Sequence, residues 1–480
     1  MLSGIHAEAT DQDVSIWWEP PVSKAEDVMV AFQGKRRIAV NHHIEFEHLE
    51  ADTAYTCMLN DEPFTFHTLP LKRRIDITKE PYLAASGQVC TEMLQKALDD
   101  CDADSTVYLP HGVYLSGALN MHSNTSLYLE KGAVLQGTED PDDYGPRILS
   151  RFEGTERMCY RSLLNLGTLD HAADPNCSNI LIYGHGEIRG GGYALAVNCA
   201  DIERVSLQDY LASHPEEVAS CENANTIPFR CRGRLINMSN CENIRITGLT
   251  LGYGPSWNIH MIYSRNIVTD HCLIQSDGVW NGDGWDPDSS ENCTIYACTF
   301  KTGDDAVAIK SGKNPEGCQI SRPARHIRIF DCISEYGHGI CIGSEMSGGV
   351  EDVVITDCSL AKTECGIEIK TTKKRGGYVR NISAARCLTS HVQIHSVSFN
   401  DDGISASSLP ILENFHFFDL RITGRYYGAD EKWYDCSSIV IQGLDAAHPV
   451  KNCIFKNTEI LQKNDLPETV VENCEGYQNA

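Results

Sequence analysis

The phrases NIRIT (243–247), NIVTD (266–270), NCTIY (292–296), HIRIF (326–330) and DVVIT (352–356) decide the fold. NILIY (179–183) stands before them, and NISAA (381–385), NFHFF (414–418) and NCIFK (452–456) continue the series. Each phrase opens on Asn, His or Asp and continues with residues that are mostly β-branched or aromatic, the types that suit a pleated, half-buried surface. From position 243 onward the starts lie 23 to 38 residues apart, and no helical periodicity runs through the region. Repeats with a period of about 20–50 residues bury their apolar faces by stacking on one another. The pattern predicts a right-handed parallel β-helix, with strands pairing in parallel and turn asparagines laddering between coils. A β-propeller would need four strands per blade and regular Trp-Asp signatures, which are missing.

Outward from this repeat, the first 72 residues read differently. Short alternating segments at 14–18, 28–32, 37–40 and 55–59 predict a small antiparallel β-sandwich. Within it, LEADTAY (49–55) resembles the corner before a late strand of fibronectin type III modules. The expected class is therefore all-β: a fibronectin type III-like sandwich over 1–72, then the parallel β-helix over 73–480. The basic run Lys72-Arg73-Arg74 reads as a hinge. The sandwich is expected to be either a spacer or a wall closing one end of a groove. One amphipathic helix, TEMLQKALDDC (91–101), places Met93, Leu94, Ala97 and Leu98 on one face and is predicted to cap the open end of the coils. The polar stretch 190–232 interrupts the rhythm for longer than a simple connection needs, which marks a functional wall or lid.

The net charge of −26 over 480 residues repels nucleic acid and anionic membranes, so neither is expected as a partner. An acidic substrate would need a local basic patch, for which Lys310, Lys313, Lys370, Lys373, Lys374 and Arg375 are candidates. The 21 cysteines contain no C-x-x-C pair, so neither a zinc ribbon nor a thioredoxin-type site is supported. They read as buried reduced thiols of a reducing compartment. The N-terminal stretch has neither a basic nor an apolar segment of a secretory signal, and a cytoplasmic location is expected. No cofactor or metal is expected, and self-association as a homo-oligomer stays open.

The densest carboxylates lie in NGDGWDPD (281–288) and TGDDA (302–306). Asp283 and Asp304 are 21 positions apart, close to one coil. Coils stack at about 4.8 Å, so Asp283 should face the Asp304-Asp305 pair. Carboxylates that close cannot all ionise freely, so one should hold a proton near neutral pH. A protonated acid beside ionised bases is the equipment of glycoside hydrolysis. Gly337-His338-Gly339 follows one coil later, and Glu368-Ile369-Lys370 one coil beyond that. His338 can tune a neighbouring carboxyl and Lys370 can pair with an anionic sugar.

These motifs resemble glycoside hydrolase family 28, the polygalacturonase family, which carries Asn-Thr-Asp, Gly-Asp-Asp, Gly-His-Gly and Arg-Ile-Lys on a parallel β-helix. The counterparts are Asn281-Gly282-Asp283, Gly303-Asp304-Asp305, Gly337-His338-Gly339 and Glu368-Ile369-Lys370, flanked by DPDS (286–289), AIKSG (308–312) and IGSEMSGGV (342–350). The likeness spans roughly 75–470 and is greatest to bacterial exo-acting members. It implies an inverting hydrolase that cleaves α-1,4-linked galacturonic acid in pectic oligosaccharides from one end. It further implies Asp304 as general acid, Asp283 and Asp305 as holders of the attacking water, and His338 as support for the acid. Lys370 and Lys310 would grip galacturonate carboxylates, with Arg232 and His260 as further substrate contacts. Two departures stand out: Gly282 replaces Thr, and Glu368 replaces the Arg that serves the leaving-side sugar. Either Lys373, Lys374 and Arg375 neutralise Glu368, or the leaving-side sugar is not galacturonate, as with rhamnose in a rhamnogalacturonan fragment. A pectate lyase on the same fold is the remaining alternative.

Overall fold

The computed structural model describes residues 2–22, 27–219, 227, 229–397 and 403–480. Three long parallel sheets of 14, 11 and 11 strands form the right-handed β-helix. In one coil the chain supplies Arg265–Asp270 to the first sheet, Leu273–Gln275 to the second and Trp285–Asp288 to the third.

The phrase-opening residue makes the coil. Asn179, Asn243, Asn266, Asn292, His326, Asp352, Asn381, Asn414 and Asn452 all adopt the left-handed conformation, with φ between 53° and 63°. Asn and Asp tolerate it better than β-branched residues do. The bend aims the next side chain inward. Ile244, Ile267, Cys293, Ile327, Val353, Ile382, Phe415 and Cys453 consequently pair in register, and all are buried. Each such aliphatic contributes about 1.5–3 kcal/mol of burial. On the outside, the amides ladder as expected: Asn243 donates to Asn179 at 3.2 Å, Asn266 to Asn243 at 3.1 Å and Asn292 to Asn266 at 3.2 Å. An ion pair between His326 and Asp352 takes over in the middle of the stack. Cys272, Cys298, Cys332, Cys358 and Cys387 form another buried column, each thiol donating to the carbonyl two residues before it.

Helix α1 (Thr91–Asp99) covers the first coil and contributes Leu94, Ala97 and Leu98 to the core. Met93 is not on that face and stays 38% exposed. The Lys72-Arg73-Arg74 run is not a hinge. Arg73–Asp76 is already a strand of the first sheet, paired in parallel with Ser105–Leu109, and Lys72 Nζ donates to Ser126 Oγ at 2.8 Å.

The N-terminal region forms a three-stranded and a four-stranded antiparallel sheet around Val14, Ile16, Trp18, Val30, Cys57 and Leu59. The Tyr55 hydroxyl accepts the Glu50 N–H at 2.8 Å and pins the corner. The sandwich docks on the outer face of the first sheet. Trp17 packs on Tyr296 and Phe330, Tyr296 Oη donates to Ser15 Oγ at 2.8 Å, and Arg328 Nε donates to Glu19 at 2.8 Å. The predicted carboxylate cluster lies on the third sheet. The sandwich therefore does not wall that groove, contrary to one of the two expectations for it.

The 190–232 interruption is helical rather than a loop, with helices α2 (Gly192–Ser206), α3 (Gln208–Ser213) and α4 (Pro215–Ala219). Its positions 220–226 and 228 lie outside the described residues. Leu195, Ala196, Cys199 and Ala200 are the buried face of α2, and Arg147 reaches the 2%-exposed Glu203. Among the described residues no helix is long and apolar enough to cross a membrane.

Candidate active site

In-register pairing turns alternate residues of the third sheet into columns along its outer face. Ala308, Cys341, Glu368 and Gln393 pair in one column. Lys370 pairs with His395 in a second, where Asp288 also bridges Lys310. The turns entering successive strands add Asp283, then Asp304 and Asp305, then His338. Backbone bonds lock these turns together: Gly284 N–H donates to Asp305 O at 2.9 Å, and His338 N–H donates to Asp304 O at 3.0 Å. Gly337 has φ +94°, and a Cβ there would sit 2.6 Å from Asp304 O, which explains the glycine before His338.

The predicted cluster is thus brought together, with unequal environments. Asp304 has a 24%-exposed side chain whose Oδ1 lies 2.9 Å from His338 Nδ1. Asp305 is buried, with Lys370 Nζ at 3.2 Å and His338 Nδ1 at 3.3 Å. Burial opposes its charge, but Lys370 and His338 win and hold its carboxyl well below the usual range. Asp283 is also buried, with Lys310 Nζ at 2.9 Å from Oδ2, while its Oδ1 has no hydrogen-bond partner among the described residues. Burial, reinforced by Asp304 and Asp305, outweighs Lys310 and pushes Asp283 up to about 7. Burial and the neighbouring Asp283 likewise push Asp286 well up; its closest cation is Lys310 at 3.6 Å. The proton expected among these carboxyls therefore belongs on the Asp283 side. Burial disfavours the charge on His338, yet Asp304 and Asp305 push its pKa up to about 12. Ligand atoms of Asp304, Asp305 and His338 lie within 4.8 Å of one another, a spacing a cation could share.

Four expected substrate contacts also have partners within the protein. Lys310 is bound to Asp283 and Asp286, and Lys370 to Asp305 and Glu368, so both hold carboxylates in place. Arg232 is 3% exposed and donates to Pro255 O at 2.8 Å, to Trp280 O at 3.0 Å and to Asn281 Oδ1, which clamps the loop entering Asp283. His260 is fully buried beside Asp288 at 3.3 Å, and burial pulls its pKa down to about 3. Glu368 is not neutralised by Lys373, Lys374 or Arg375. Arg375 is itself buried and donates to Ser344 O at 2.8 Å. Instead Lys370 Nζ lies 3.3 Å from Glu368 and His395 Nε2 lies 2.7 Å from it. Burial works against ionisation, but Lys370 and His395 bring Glu368 down to about 2.

Several neighbours escaped the sequence reading. Asp286 and Asp288 were legible as acidic residues but not as the inner layer. Arg151, which meets Asp288 at 2.6 Å, comes from the hairpin of Ile148–Phe152 and Thr155–Cys159. His395 had a usable signal, since VQIHS (392–396) is the next coil after Lys370.

The model of glycosyl hydrolases family 28 matches residues 217–401. The matched stretch includes Asp283, Asp304, Asp305, His338 and Lys370. It is 25% identical over 378 residues to an exo-poly-alpha-D-galacturonosidase of Dickeya chrysanthemi, covering 75% of this chain and 62% of that relative. An endo-polygalacturonase of Pectobacterium parmentieri is 29% identical over 394 residues, covering 79% and 86%. The chain thus spans less than two thirds of the length of the Dickeya relative. Among solved structures, the family 28 exopolygalacturonase of Yersinia enterocolitica superposes with a TM-score of 0.71 at 16% identity, covering 100% of this chain and 98% of that one. The hyperthermoactive exopolygalacturonase of Thermotoga maritima gives 0.68 at 25% identity, covering 85% and 92%. The chain therefore shares its β-helix with these exopolygalacturonases.

Proposed function

We propose that the chain is a glycosidase that removes terminal α-1,4-linked galacturonic acid from pectic oligosaccharides by a single inverting displacement. The observation that carries this is the stack of Asp283, Asp304 and Asp305 on adjacent coils, with His338 joining the last two. Asp304, the most exposed of the three, is placed to protonate the glycosidic oxygen, with His338 positioning its carboxyl. Asp305, held ionised by Lys370, would take the proton of the attacking water, which Asp283, with Oδ1 unengaged, would help to orient.

Action from one end is supported by what lies upstream. The hairpin 148–159 crosses the third sheet through Ser150–Asn237 and Arg151–Asp288, and Tyr193 of α2 packs on Trp280. Beneath this wall, Arg232 and Arg234 hydrogen-bond only to carbonyl and amide oxygens, and neither forms an ion pair among the described residues. Two buried guanidinium charges without counter-charge suit a uronate carboxylate.

Time-resolved product analysis on trigalacturonate and polygalacturonate tests the reading. Monomeric galacturonate should appear first, with inverted anomeric configuration by NMR. An early ladder of intermediate oligomers would reject action from the end. A retained anomer would reject the roles given to the aspartates, and an unsaturated product would mark a lyase.

A further inference from the structure

Downstream of the aspartates the charge balance reverses. Lys370 is the cation on that part of the floor, and it lies between two ionised carboxylates, Asp305 at 3.2 Å and Glu368 at 3.3 Å. Glu368 stands three coils past Asp286 and one past Cys341 in the outward column, and His395 meets its other oxygen at 2.7 Å. More acid surrounds this point. Glu364 lies 3.8 Å from His338 Nε2 and accepts the Ala429 N–H at 2.9 Å, tying the hairpin of Arg425–Tyr427 and Trp433–Asp435 to the site. The hairpin brings aromatic rings: Tyr426 stacks on Tyr434 and approaches His391, which is bonded to Gln393, the column neighbour of Glu368.

We infer that the subsite on the leaving side is built for an uncharged sugar, and that Glu368 is the residue that sets this preference by cancelling the charge of Lys370. The inference rests on the galacturonate-releasing function proposed above and refines its substrate. A carboxylate arriving beside Lys370 would find the ammonium already shared by two protein carboxylates, with Glu364 nearby. Like charges juxtaposed in such a site are strongly disfavoured. A neutral sugar meets no such penalty. Its hydroxyls can donate to carboxylate oxygens, and its C–H face can lie against the aromatic hairpin. Upstream, Arg232 and Arg234 leave positive charge without ion pairs. The groove is thus polarised: uronate on the terminal side, neutral sugar on the leaving side. Glu368 acts through Lys370 and is a positioning residue rather than a catalytic one.

Two disaccharides that differ only in the aglycone carboxyl test this: galacturonosyl-α-1,4-galacturonate and galacturonosyl-α-1,4-galactose. The wild-type chain should cleave the neutral-aglycone compound with a kcat/KM at least about tenfold higher. In Glu368→Gln, which keeps the side-chain shape and removes the charge, that preference should shrink about fivefold or more, mainly through a lower KM for the dianion. A residue that only braces the fold would slow both substrates alike and leave the ratio unchanged. Equal or faster cleavage of the digalacturonate by the wild type overturns the inference while leaving galacturonate release intact. Release of galacturonate from neither compound removes the parent reading, and this one falls with it.

Discussion

Asp283 illustrates how one carboxyl can serve chemistry against stability. Its folded pKa of about 7 stands above the ordinary aspartate value near 3.9. For an acid raised in this way, ionisation in the folded state costs stability. The cost is absent below about pH 4, grows as pH rises and is complete above the folded value. Asp283→Asn removes that term. Its melting temperature, relative to wild type, should therefore climb by several degrees between pH 4 and pH 8 in thermal scans, while activity is lost. A flat difference across that range would mean that Asp283 titrates normally. Asp304→Asn should keep the fold by circular dichroism and lower kcat by roughly 10²–10⁴-fold, the scale of a lost general acid. The same residue-level view explains the limits of motif reading. Asp283, Asp304, Asp305 and His338 were legible because their chemistry and coil spacing agree. The commitments of Lys310, Lys370, Arg232 and His260 were not, because a cation's partner is set by what stacks beside it.

At the scale of the element, the coil depends on one left-handed residue per phrase. Asn266 has φ +56° and takes part in amide bonds to Asn243 and Asn292. Asn266→Val places a β-branched side chain in that conformation and breaks both bonds. It should cost about 2–4 kcal/mol, read as a lower urea midpoint, whereas Asn266→Gly should cost less because only the ladder is lost. Equal losses would show that conformation is not what Asn266 supplies. The strand phrases were readable because each repeats the same solution to this bend. The helix in the 190–232 interruption is less legible, although Leu195, Ala196, Cys199 and Ala200 carry helical spacing. Its polar exposed face masked a stripe only four residues wide.

Across the whole molecule, the sandwich and the groove occupy different faces of the β-helix. The sandwich is held by Trp17 on Tyr296 and Phe330, by Arg245 donating to Glu8 O at 2.7 Å, and by His43 at 2.7 Å from Asp331. Trp17→Ala should loosen this docking, so limited proteolysis near residues 68–72 should accelerate while kcat/KM stays within about twofold of wild type. A matching fall in activity would mean that the sandwich reaches the groove after all.

What the sequence determined by itself was periodic: the Asn-led strand phrases and the spacing of the aspartates by one coil. Stacking makes such features predictable, because each position repeats the environment of the one beneath it. Only the tertiary structure decided which face the sandwich covers, that the groove wall comes from the hairpin 148–159 and helix α2, and that Glu368 answers Lys370 and His395. Those contacts join segments with no shared period, and their partners are chosen by packing in space rather than by distance along the chain.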